Sequence, residues 1–284
     1  MEEFEARTTD GVTLRIDRLR AARSPRRGVV VCLHAMMTDG RYFGLRRDRS
    51  FAAALAAAGY DVLAGDFRGH GRSAMRDDWS FDDLVERDVP AIVDAAAAAS
   101  GCQPSEIIVL GHSLGGLVAT AAIATRRIAA PRLVLLAATS VWMLGSDGPL
   151  ARRALMAILR GVTTAFGKTP VRALRIGTAD EAASYIRQFT GWTRGARWTS
   201  LRGVDYLAAL ASITTPVLPV VGARDWMCTV DDATGFARHM PGAVGIRVVG
   251  RVHGDALDPD HFQVFTRNEL RPVWNELIER IGTT

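Results

Sequence analysis

The feature that most constrains this chain is a recurrence. Short, continuous apolar runs rich in β-branched residues alternate with longer alanine-rich or amphipathic segments. The runs are GVVVCLH from 28, YDVLAGDF from 60, EIIVLGHS from 106, RLVLLAA from 132, PVLPVVGA from 216 and GIRVVG from 245, with VTLRI at 12–16 read as part of an N-terminal hairpin. A strand with one wet face alternates polar and apolar residues, whereas a run that is apolar throughout suits a strand covered on both faces. Parallel neighbours need long crossovers, and helices supply both the crossover and the cover. FAAALAAAG at 51 ends in a candidate C-cap glycine, and SFDDLVERDVPAIVDAAAAA begins at the candidate N-cap Ser80. Both read as crossover helices. The expected class is α/β: a mostly parallel central sheet of about eight strands flanked by helices.

The rhythm breaks between 141 and 212, where no convincing strand is visible and helical pieces such as PLARRALMAILRG and DEAASYIRQF lie among Trp142, Trp192 and Trp198. The expected organisation is therefore a core formed by 1–140 and 213–284, interrupted by a helical lid at 141–212. Leu270, Val273, Trp274, Leu277, Ile278 and Ile281 recur at helical spacing and predict a final amphipathic helix laid on the sheet.

Composition removes several function classes. Hydrophobic residues make up 48% of the chain, enough for a sizeable core. The net charge of +5 comes from arginines scattered in pairs such as Arg46-Arg47, Arg126-Arg127 and Arg152-Arg153, without the clustered basic face that a nucleic-acid surface needs. Three cysteines, Cys32, Cys102 and Cys228, are too few and too far apart for a disulfide framework or a CxxC metal site, and suit a reducing cytoplasm. The acidic start MEEFEARTTDG is unlike a signal peptide, and no stretch approaches the roughly 20 apolar residues that span a bilayer. A soluble cytoplasmic protein is expected.

GHSLGG, Gly111 to Gly116, stands where a predicted strand stops and a helix begins. A serine on so sharp a turn needs small neighbours, and its hydroxyl is left exposed at the sheet edge beside a helix N-terminus. A glycine-rich turn with an incidental serine is the plain alternative. A phosphate-binding loop would require a lysine after its glycines, and none is present. Ser113 is the candidate nucleophile.

With this motif the chain resembles the α/β-hydrolase superfamily along nearly its full length. DFRGHGRS at 66–73 resembles that family's D-x-R-G-x-G-x-S turn, read as structural, and LHAMM at 33–37 stands where the family carries His-Gly and then an oxyanion-hole residue. The resemblance implies that the backbone N–H groups of Met36 and Leu114 stabilise a tetrahedral oxyanion, each contributing about 3 kcal/mol. Ala35 replaces the usual glycine, and a positive φ there would strain it. A serine at the elbow, where dehalogenating and epoxide-opening relatives carry aspartate, leaves acyl transfer to water. The family order of serine, acid, then histidine puts the acid at Asp225, after PVLPVVGA. Asp231 and Asp232 are rivals, better suited to the N-terminus of the next helix.

The loop RVHGDALDPDHFQVF at 251–265 offers two bases, His253 and His261. His261 is favoured: HFQVFTRNELRPVW resembles a bacterial subgroup of predicted hydrolases in which His-Phe-x-Phe-Phe precedes a Trp-bearing final helix, and Pro259, Phe262 and Phe265 would fix the ring against the core. A metal cluster of His253, Asp255, Asp258, Asp260 and His261 is the rival, without the helical histidine spacing of a zinc protease. His34 and His112 read as scaffold, His70 as part of the structural turn. The expectation is a serine hydrolase of a small-molecule acyl ester, with Ser113, His261 and Asp225 as triad and with no cofactor and no metal. Met37, Trp142 and Trp226 are the candidate pocket residues. A thioesterase or amidase would use the same triad, and a non-catalytic ligand-binding member of the fold is the alternative from another class.

Overall fold

The computed structural model describes residues 1–75, 78–141, 150–195 and 197–283. Its strands are β1 (Glu2–Arg7), β2 (Thr13–Leu19), β3 (Gly28–Leu33), β4 (Tyr60–Gly65), β5 (Ile107–His112), β6 (Leu133–Ala137), β7 (Lys168–Thr169), β8 (Glu181–Ala182), β9 (Val217–Gly222) and β10 (Arg247–Val249). Eight of them form one sheet in the order β1-β2-β4-β3-β5-β6-β9-β10. The hairpin β1–β2 joins antiparallel to β4, and the pairs from β4 across to β10 are parallel. The helices are α1 (Phe51–Ala57), α2 (Phe81–Asp83), α3 (Val89–Ser100), α4 (Leu114–Ala124), α5 (Leu150–Phe166), α6 (Ala183–Gly195), α7 (Tyr206–Ala209), α8 (Val230–Ala237) and α9 (Arg271–Thr283).

The apolar runs divide residue by residue between two cores. Val29, Val31 and Leu33 of β3 pack on one face with Ile92, Val93 and Val118 from α3 and α4. Val30 and Cys32 pack on the other with Phe51, Leu55, Trp274 and Leu277 from α1 and α9. Cover on both faces is why these strands show no polar alternation. Ser80 caps α2 in a reciprocal box: its hydroxyl accepts from Asp83 N–H at 3.3 Å, and Asp83 Oδ2 accepts from Ser80 N–H at 2.8 Å. A π turn at Leu84–Asp88 joins α2 to α3 and brings Asp88 to Arg68, whose N–H and Nε each donate to it at 2.8 Å. Asp66 accepts from Gly40 N–H at 2.8 Å and Arg72 N–H at 3.0 Å, so DFRGHGRS ties the loops after β3 and β4 together.

Between β6 and β9 the described chain is mainly helical, and α6 sends Tyr185, Ile186, Phe189 and Trp192 into the same core as α4. One expectation changes here. Lys168–Thr169 pairs antiparallel with Glu181–Ala182 as β7 and β8, two residues each and too short to leave a periodic signature. Glu181, read as part of a helical piece, is a strand residue, and α6 begins only at Ala183. Trp142 lies outside the described residues. Among the described residues no helix is long and apolar enough to cross a membrane.

Candidate active site

Because the strands from β4 to β10 run in one direction, the segments that follow β3, β5, β9 and β10 all emerge at the same sheet edge. These segments carry Met36, Ser113, Asp225 and His261.

Ser113 is the single residue between β5 and α4, and its backbone sits at φ 53, ψ −113. For a non-glycine residue this is a strained conformation, costing about 1–3 kcal/mol, held by what surrounds it. Ser113 N–H donates to Ala137 O at 2.9 Å. A Cβ on Gly115 would lie 2.0 Å from Leu33 O, and one on Gly111 would lie 2.4 Å from Gly116 Cα. The strand-to-helix reversal therefore requires glycine at these positions, and with it the serine is lifted out of the sheet. The amides of Leu114 and Met36 donate to no acceptor among the described residues.

His261 Nδ1 lies 2.8 Å from Asp225 Oδ2, with both side chains buried. Asp225 is fixed in turn, because its Oδ1 accepts from Met227 N–H at 2.9 Å and Cys228 N–H at 2.8 Å. The loop bearing His261 is pressed against β9: Arg224 N–H donates to Pro259 O at 3.1 Å, and a Cβ on Gly222 would meet Pro259 O at 2.2 Å. Behind it, Phe265 stacks on Phe51 at 4.5 Å and Trp274 Nε1 donates to Val264 O at 2.8 Å. His253 is exposed in a 3-10 turn, Arg251–His253.

The other acidic residues of these loops are engaged. Asp232 closes a capping box with Thr229 at the start of α8 and pairs with Arg152 at 2.6 Å, and Asp231 occupies the same first turn. Asp255 is gripped by Arg247 at 2.7 and 2.9 Å. Asp258 accepts from Arg251 N–H at 2.7 Å, and Asp260 from Phe262 N–H at 3.0 Å. Among the described residues no three histidine, cysteine or carboxylate side chains converge as metal ligands. The five residues considered from sequence as a metal cluster form no such group.

His112, read from sequence as scaffold, is buried beside Ser113 and ties β5 to the loop that carries His261. Its Nε2 donates to His261 O at 2.8 Å, and its ring stacks on Tyr42 at 4.6 Å. Burial, and then the neighbouring His261, push its pKa down to about 3, so it stays a neutral donor. A cavity of about 20 Å³, room for about one water, opens beside Ser113. Met36, Leu114, Tyr185, Phe189 and Met227 contribute to its wall. Met37 and Trp226 are not among its lining residues: both backbone groups of Met37 are tied to the 177–181 segment, and Trp226 is 51% exposed. Nor does Ala35 take a positive φ. That conformation falls on Met37, at φ 60, so Ala35 escapes the strain its substitution for glycine suggested.

An eight-stranded, mostly parallel sheet with a strained serine between strand and helix defines an α/β-hydrolase fold. The chain belongs to the Hydrolase_4 family, described as serine aminopeptidase, S33, whose model matches residues 24–248. It is similar to a tear acid lipase-like protein of Mesocricetus auratus, 30% identical over 47% of this chain and 37% of that protein. It thus spans little more than a third of that relative. It is also 30% identical to a pimeloyl-(acyl-carrier protein) methyl ester esterase of Xanthomonas campestris pv. campestris, over 80% of this chain and 88% of the relative. Among solved structures, Est1E from Butyrivibrio proteoclasticus, with ferulic acid bound, superposes with a TM-score of 0.67 at 15% identity over 98% of this chain and 97% of that one, a likeness of fold.

Proposed function

We propose that this protein is a serine hydrolase that cleaves a carboxylic ester of a small molecule through an acyl-enzyme intermediate. The observation that carries the reading is the buried pair of His261 Nδ1 and Asp225 Oδ2 at 2.8 Å, at the same sheet edge as the strained Ser113. Asp225 keeps the Nδ1 proton in place, which leaves Nε2 as the basic nitrogen. Ser113 Oγ attacks the ester carbonyl as His261 Nε2 takes its proton, and the Met36 and Leu114 amides receive the developing oxyanion. His261 returns the proton to the departing alkoxide. A water, deprotonated by the same nitrogen, then attacks the acyl-enzyme and releases the acid with Ser113 restored.

The apolar side chains around Ser113, among them Met36, Leu117, Tyr185, Phe189 and Met227, favour an apolar acyl or aromatic group, and the space beside the serine must widen to admit it. In this proposal 141–212, with α5 and α6, forms a lid over the serine; Tyr185 and Phe189 of α6 in the cavity wall support that assignment. The free cysteines fit a reducing cytoplasmic setting. No chemical step calls for a cofactor.

The same triad serves thioesters and amides, and the family description, serine aminopeptidase, gives amide cleavage a specific claim as the second reading. Matched acyl chains offered as p-nitrophenyl esters, acyl-CoA thioesters and anilides separate the three. We expect kcat/KM for the ester to exceed that for the thioester by about tenfold or more, a difference of about 1.4 kcal/mol in transition-state binding. Faster turnover of the thioester or the anilide would reject ester hydrolysis as the main activity.

A further inference from the structure

The loop that carries the Met36 amide is held from both sides. On one side, Ala35 O accepts two hydrogen bonds, from His34 Nδ1 at 2.8 Å and Thr38 Oγ1 at 2.9 Å. In a trans peptide the C=O and the following N–H point in opposite directions, so fixing Ala35 O aims Met36 N–H. On the other side, Met37 N–H donates to Glu181 Oε1, and Met37 O accepts from Thr178 N–H at 2.8 Å. Thr178 Oγ1 also donates to Asp39 Oδ2 at 2.8 Å. A Cβ on Gly177 would lie 2.3 Å from Met37 O, so this contact is closed to any side chain. Residues 177–181 thus clasp Met37 by both backbone groups while it sits at φ 60, a conformation that disfavours an unassisted methionine by about 1–2 kcal/mol.

Glu181 is not explained by folding alone. It is 1% exposed, and its second oxygen, Oε2, is buried without a partner among the described residues, which costs stability. Its charge is answered by His70, whose Nε2 lies 3.2 Å from Oε1 and whose Nδ1 lies 2.9 Å from Arg68 O. Both partners are acceptors, so the ring meets them only with a proton on each nitrogen. Burial opposes that charge, but the Glu181 carboxylate, the Arg68 carbonyl and Asp66 outweigh it, and the His70 pKa is raised. His34, 4.9 Å from His70 between ring centroids, is the neutral member of the pair. Its Nε2 accepts from Phe67 N–H at 3.1 Å, and burial, then His70, lower its pKa to about 3.

We infer that Glu181 is a positioning residue for the oxyanion loop: through Met37 N–H it locks the left-handed turn that keeps the Met36 amide in the cavity it shares with Ser113. The inference rests on Met36 as an oxyanion donor. It makes the 177–181 strap part of the rate-determining geometry, although no atom of Glu181 need touch substrate.

Three variants test it: Glu181→Leu removes the acceptor, Glu181→Gln restores one without the charge, and Gly177→Ala pushes on Met37 O from the other side. Each is measured for kcat, KM, thermal midpoint and affinity for an alkyl boronic acid, which forms a tetrahedral adduct on the serine. Losing one oxyanion donor costs about 10²–10³ in kcat, so Glu181→Leu is expected to lose about 100-fold in kcat. KM should stay within about threefold, and boronate affinity should fall with kcat. Glu181→Gln should recover to within about tenfold of the parent, and Gly177→Ala should lose at least about tenfold in kcat. A folded Glu181→Leu protein with unchanged kcat, or one whose loss lies wholly in KM, overturns the inference. If Glu181→Leu does not fold, unchanged kcat and boronate affinity in Gly177→Ala overturn it equally. Turnover that survives Ser113→Ala would instead remove the underlying serine mechanism, and the two failures are thereby told apart.

Discussion

Replacing His261 by alanine is expected to lower kcat by about 10⁵-fold or more, while His253→Ala leaves it within about twofold. The two imidazoles lie eight positions apart in one loop, yet their surroundings differ in kind. His261 is 5% exposed, its Nδ1 is held by Asp225, its carbonyl by His112, and the following Phe265 and Val264 are anchored by Phe51 and Trp274. A general base must be oriented before it is useful, and each of these contacts orients it. His253 is the last residue of a short exposed turn, Arg251–His253, and its side chain makes no hydrogen bond among the described residues. Steady-state kinetics of the two variants on one p-nitrophenyl ester decide the matter. A large loss in His253→Ala with activity retained in His261→Ala would reverse the assignment.

Asp225→Asn is expected to reduce kcat by about 10³–10⁴-fold, with a thermal midpoint close to the parent's. The parent carboxylate accepts three hydrogen bonds, from His261 Nδ1, Met227 N–H and Cys228 N–H. An asparagine has one carbonyl oxygen. If that oxygen keeps the two backbone amides, its NH₂ group faces His261 Nδ1 and favours the tautomer protonated at Nε2. That nitrogen then offers Ser113 a proton where it should accept one, and the nucleophile loses its base without loss of packing. Equal kcat in Asp225→Asn would mean that His261 does not depend on this carboxylate.

What the sequence disclosed and what it hid follow from the range of the interactions involved. Residues of β3, β5 and β6 announce burial on both faces because nearly every position is apolar, and the elbow announces itself because Gly111, Ser113 and Gly115 lie within five positions of one another. The Ser80 capping box is likewise local. The contacts that shape the loop at Met36 are not. Glu181 reaches Met37 across 144 positions and His70 across 111, and a carboxylate inside DEAASYIRQF looks like any solvated residue on a helix face. The positive φ of Met37 is invisible for the same reason: the resemblance drew attention to Ala35, where a glycine was missing, while the left-handed turn is enforced two residues later by the strap. Asp225 and His261 stand between these extremes. Their loops could be chosen from chain order and from the aromatic step into α9, but the 2.8 Å contact between them depends on β9 and β10 lying side by side.

The central claim is that Ser113 is a nucleophile activated by His261. Its most direct measurement is the rate at which a fluorophosphonate ester labels the protein, with the modified residue located by peptide mass spectrometry. We expect one adduct, on Ser113, formed rapidly in the parent and in His253→Ala, slowed by at least about 10³-fold in His261→Ala, and absent from Ser113→Ala. Labelling elsewhere, no labelling of the parent, or a rate in His261→Ala equal to the parent's would contradict it.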